Sequence, residues 1–138
     1  MAITQTMTTA CKQNLLKGDV DFDSDTFKIA LYTNAADLDA STAAYTTAGE
    51  VSGTGYVAGG NTLSGAAVAT SGTVAYVDFA DSEWTSSTIT ARGALIYKSG
   101  GSNPSIAVLD FGGDKSSSNS TFKITFPGAG TSAIIRIE

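Results

Sequence analysis

Histidine does not occur in this 138-residue sequence, and cysteine occurs once, as Cys11. The missing imidazole excludes Ser-His-Asp and Cys-His catalysis and His-ligated zinc. A lone thiol excludes thiolate zinc, iron–sulfur clusters and an intrachain disulfide. Basic residues number 8 against 13 acidic ones, for a net charge of −5. No basic footprint exists to displace counterions from phosphates, so no nucleic acid is expected as a partner. Charged residues make up 15% of the chain, below the roughly 25% of an average soluble protein. No apolar run approaches the ~18 residues that would suggest a membrane span. The opening Met1-Ala2-Ile3-Thr4-Gln5 lacks a basic region and an apolar stretch, so no signal peptide is expected. Synthesis in a reducing cytoplasm is the expectation that follows.

What is present favours strands and tight turns. Glycine contributes 15 residues, serine and threonine are abundant, and 42% of the chain is hydrophobic, enough for one core. One helix is expected from about Thr6 to Lys17, with Met7, Cys11 and Leu15 as its apolar stripe and Gly18 as its stop. On that stripe Cys11 reads as a small buried hydrophobe. From Phe27 the period becomes two. Phe27-Ile29-Leu31, Ala75-Val77-Phe79, Ile89 to Tyr97, Ile106 to Phe111, Phe122-Ile124-Phe126 and Ala133-Ile135-Ile137 all predict strands, with a weaker one at Leu63 to Thr70. Gly93 is the expected site of a bulge. Turns are expected at 99–104, at Gly112-Gly113-Asp114 and at 127–130, with a loop tip at 116–120. Residues 35–60 read as a long, partly ordered excursion. The expected organisation is an N-terminal arm and helix over 1–26, followed by an antiparallel β-sandwich domain over 27–138.

The candidate chemical sites are weak. Gly53-Thr54-Gly55-Tyr56-Val57-Ala58-Gly59-Gly60 fails the spacing and the strand–turn–helix context of a phosphate-binding loop. Asp19, Asp21, Asp23 and Asp25 alternate, but no EF-hand frame places its glycine and glutamate, so they read as a solvated connection. The glutamates are Glu50, Glu83 and Glu138, a poor stock for a carboxylate pair. Asn119-Ser120-Thr121 matches a glycosylation sequon without a secretory route. Trp84, Tyr45 and Tyr56 are candidate interface anchors or sugar-stacking surfaces, with a core tryptophan as the alternative for Trp84. Ala2, Ile3, Thr4, Gln5 and Thr6 are the candidate arm for pairing with a neighbour's sheet edge. No enzyme activity, catalytic residue, metal or cofactor is expected.

Three stretches carry a family resemblance. They are Asp25-Thr26-Phe27-Lys28-Ile29-Ala30-Leu31-Tyr32, then Glu50-Val51-Ser52-Gly53-Thr54-Gly55-Tyr56 with Gly59-Gly60, and Phe122-Lys123-Ile124-Thr125-Phe126 through Ile134-Ile135-Arg136-Ile137. In these the chain resembles the jelly-roll cement, or decoration, proteins of tailed, especially short-tailed, bacteriophages. The resemblance implies a mainly β, antiparallel sandwich of jelly-roll type. It implies a homo-oligomer, dimer or trimer, on the capsid surface of a virion, bridging copies of the major capsid protein without chemistry. The alternative is a receptor- or glycan-binding head- or tail-fibre module, because jelly rolls also serve as lectins.

Overall fold

The computed structural model describes residues 2–128, 130 and 132–138. The chain is mainly β, with two antiparallel sheets and one short helix. In chain order the elements are β1 (Thr6–Met7), α1 (Thr9–Lys17), β2 (Phe27–Tyr32), β3 (Asn61–Thr62), β4 (Ala67–Ser71), β5 (Val74–Asp78), β6 (Ser82–Lys98), β7 (Ser105–Ile124) and β8 (Ile135–Ile137). One sheet has the order β1-β7-β6-β2-β3 and the other β4-β5-β8.

The helix starts three residues later than its apolar spacing predicts. Thr8 is extended, with φ −73° and ψ 154°, and its hydroxyl accepts from the Cys11 N–H at 3.2 Å as an N-cap. The β-branched Thr6 and its neighbour Met7 instead pair with Val108 and Ala107 of β7. Met7 is therefore a strand residue, while Cys11 is fully buried at the helix–sheet contact. Gly18 ends the helix in the left-handed region, φ 77°. Ahead of β2, β1 joins the large sheet and Cys11, Val20 and Phe22 enter the main core.

The long hairpin β6–β7 corrects two further expectations. Gly112-Gly113-Asp114 is no turn, and 116–120 is no loop tip, because both lie inside the 20 residues of β7. The ladder pairs Lys115, Ser116 and Ser117 with Ala91, Thr90 and Ile89. Its irregularities are absorbed by register shifts, one of them between Ala91 and Gly93, where a bulge is predicted. A Cβ at Gly93 would come within 2.5 Å of the Leu109 carbonyl. Buried Ser87 and Ser117 fill another shift. Their hydroxyls lie 2.8 Å apart, Ser117 donates to the Ser87 carbonyl at 3.0 Å, and Ser87 reaches the carbonyls of Trp84 and Ser120. The 127–130 turn falls partly outside the described residues, at Ala129.

The sheet centre is buried on both faces. Successive strand residues point to opposite faces, and they divide between two apolar clusters. Ile29, Leu31, Ala94 and Ile96 belong to the main cluster with Val77 and Ile135 of the small sheet. Ala30, Tyr32, Leu95, Tyr97 and Val108 belong to the second, closed by Ile3, Ala36 and Leu38. Residues 35–60 are thus an ordered cover: Ala36, Leu38 and Tyr45 close the second face, while Val51 and Tyr56 pack into the main cluster. Burying a side chain such as Leu38 contributes about 2 kcal/mol, which offsets the ordering of one or two residues at about 1–2 kcal/mol each.

Candidate functional site

The cover is pinned by one carboxylate. Glu50 follows a turn in which Gly49 approaches Ala36, and its backbone bridges to Tyr32 of β2. Glu50 Oε2 accepts from the Tyr45 hydroxyl at 2.6 Å, and Oε1 accepts from the Tyr56 hydroxyl at 2.6 Å and the Gly59 N–H at 2.7 Å. Tyr56 in turn accepts from the Leu31 N–H at 3.0 Å. Tyr97 donates to the Gly59 carbonyl at 2.6 Å, and Tyr32 to that of Thr46 at 2.6 Å. Charge-assisted bonds of this kind are among the stronger hydrogen bonds in proteins. Burial, then the Glu50 charge or hydrogen bond, raises the pKa of Tyr45, Tyr56 and Tyr97, and likewise that of Tyr32.

This network presents a stiff tip. Gly60 has φ 78°, and a Cβ there would fall 1.8 Å from the Ile29 carbonyl, so the chain runs against the edge of β2 as closely as backbone allows. Between the tethered Tyr56 and Gly59 stands Val57, 76% exposed. The outer face of the distal hairpin is Ser/Thr-rich, with Thr85, Thr88, Thr90, Ser116, Ser118 and Thr121 exposed. Its charges compensate in part, since Lys123 lies 3.6 Å from Asp81 and 3.7 Å from Glu83.

Tyr56 stacks with Trp84 and shares Glu50 with Tyr45, but Tyr45 packs on the second cluster and Trp84 in the main one, so the three form no open aromatic groove. Trp84 is 3% exposed, stacked on Tyr56 and edge-on to Phe122, so the core alternative holds for it. Tyr45 stacks on Tyr97 at 4.8 Å. The arm is folded onto its own molecule. Thr4 donates to the Leu38 carbonyl and Leu38 to that of Ala2, Ile3 is buried in the second cluster, Gln5 accepts from the Asp110 N–H, and Thr6 pairs with Val108. Ala2, Thr4 and Gln5 face outward. The structural role of Glu50 and Tyr97 had little sequence signal beyond tyrosines five residues before and six after Glu50.

Burial pushes the Cys11 thiol up to about 11, against a smaller opposing pull from Lys12, so it is not poised as a nucleophile. The Asp21 carboxylate accepts from the Ser24 hydroxyl and the Asp23 N–H, which hold its pKa low. Asp25 pairs with Lys98 at 3.2 Å. Among the described residues no group of three or more His, Cys, Asp or Glu comes together. Compared with models of protein families, with curated proteins and with solved structures, the chain matches none.

Proposed function

We propose that this chain is a virion structural protein, a cement or decoration protein that binds the assembled shell of a major capsid protein and strengthens it. The observation that carries the reading is the economy of the polar groups. The convergent carboxylate, both Glu50 oxygens, is taken up by two tyrosines and a backbone N–H, and fixes a rigid loop with Val57 at its exposed tip. A preorganised, weakly charged surface loses little order on docking. A protein that binds only the assembled lattice stabilises it by linkage, and several copies gain through effective concentration.

Within this reading a jelly roll is one way of wrapping two antiparallel sheets. The five-plus-three strand order, with β4–β5 and β6–β7 as hairpins, supports a two-layer architecture in general. The fibre-module alternative rested on Trp84, Tyr45 and Tyr56 lining an open groove, and the burial of Trp84 withdraws that support. Free pairing of the Ala2–Thr6 arm with a neighbour is likewise not part of the proposal, because the segment closes its own second cluster. Docking through Val57 and the threonine face replaces it.

The test is gold labelling, with quantitative mass spectrometry, of purified tailed-phage particles made with and without the chain. Even, stoichiometric coverage of the shell and a higher melting temperature of the heads are expected. Confinement of the label to the tail, or absence of the chain from particles, overturns the reading.

A further inference from the structure

The face opposite the cover has large apolar side chains in water. Leu16 is 91% exposed, Ile137 60% and Val68 52%. They line three adjoining depressions that all share Leu15. Lys12 borders the one at the Leu16 end and Asp21 and Asp23 the one at the opposite end, while Val68 and Ile137 line the middle one together with Arg136, whose charge Glu138 compensates at 3.0 Å. The patch is therefore mainly apolar at its centre, with the Lys12 cation at one end and the Asp21 and Asp23 carboxylates at the other. Among the described residues neither Lys12 nor Asp23 has an ion-pair partner. Strand β8, which carries Ile137, is an edge strand paired with β5. Leaving the end of an apolar alternation in water has no folding rationale, whereas large exposed apolar patches mark interaction sites.

We infer that this patch is the docking surface for a second copy of the same chain, related by a two-fold axis near Leu15. An isologous contact must be self-complementary, and this charge arrangement satisfies that condition. The two-fold sets the Lys12 end of each copy, with Leu16, over the Asp23 end of the other, and Leu15 over Leu15. The pairing opposes the general repulsion between molecules of charge −5. The inference gives the oligomer of the capsid reading a surface, resting on that reading only for the purpose a dimer serves.

Sedimentation of the full chain tests it. The wild type is expected to be a concentration-dependent dimer. Leu16→Asp leaves the core untouched and should weaken association by about 100-fold. Lys12→Asp and Asp23→Lys each set like charges together twice and should weaken it by roughly tenfold. Mixing those two variants restores both attractions, so a heterodimer should form at close to wild-type affinity. Circular dichroism of each variant separates lost pairing from lost fold. A wild type that stays monomeric at its solubility limit overturns the inference, as does a dimer indifferent to all three substitutions. A monomer whose Leu16→Asp variant loses binding to heads also overturns it, with a capsid protein as the occupant and the cement reading intact. A dimer that no particle carries sinks the cement reading alone.

Discussion

At the scale of residues, Glu50 ties the cover to both faces of the sheet, through Tyr45 on the second cluster and Tyr56 on the main one. Glu50→Gln keeps one acceptor but turns the other into a donor facing a hydroxyl or N–H. A loss of about 2–3 kcal/mol is expected, because hydrogen bonds to a charged group are weakened and a buried partner is left over. The two tyrosines that meet it are unequal. Tyr45→Phe removes one bond and should cost about 1 kcal/mol. Tyr56→Phe also strands the Leu31 N–H inside a central strand, which should roughly double that cost. Urea denaturation of the three variants measures this order, and equal losses for the two phenylalanine variants would contradict it.

At the scale of elements, the long hairpin separates what pattern conveys from what it hides. The paired segments 89–97 and 106–111 are apolar and β-branched, and their strands are legible at once. Residues 112–120 carry two glycines, an asparagine and four serines, a composition that favours turns. They are nonetheless strand, because β6 supplies an antiparallel partner and buried serine hydroxyls satisfy the backbone at the register shift. Local propensity yields to tertiary pairing here. The site was less legible for a similar reason: no local pattern announces that Tyr45 and Tyr56 turn their hydroxyls onto Glu50, or that the distant Tyr97 bonds the Gly59 carbonyl beside them. The amides of Ser116 and Ser117 should therefore exchange with solvent as strand amides, far more slowly than those of the 99–104 turn. Ser117→Ala should cost about 1–2 kcal/mol and speed exchange at Ile89, whose N–H it accepts from. Loop-like exchange across 115–118 in the wild type would refute the strand.

At the scale of the whole molecule, two clusters on opposite faces of one sheet make the cover part of the cooperative unit. Four tyrosines link it to alkaline pH. Each holds its proton more tightly when folded, chiefly through burial. Unfolded tyrosine ionises near pH 10. Their contribution is thus complete below that pH and is lost as pH rises toward the higher folded values. Denaturation midpoints should hold steady up to about pH 9 and fall beyond pH 10, with phenolate absorbance rising together with unfolding. Free ionisation of these four tyrosines in the folded protein would disprove the link.

The 17- and 20-residue strands of the hairpin also give the molecule a mechanical grain. Inter-strand hydrogen bonds of an antiparallel pair lie perpendicular to the strands. Tension along the strand axis is borne by many rungs in parallel, while tension across it, at the open end near Ser82 and Ile124, unzips them one after another. A molecule pulled along its strands should resist stretching far better than the same molecule pulled across them.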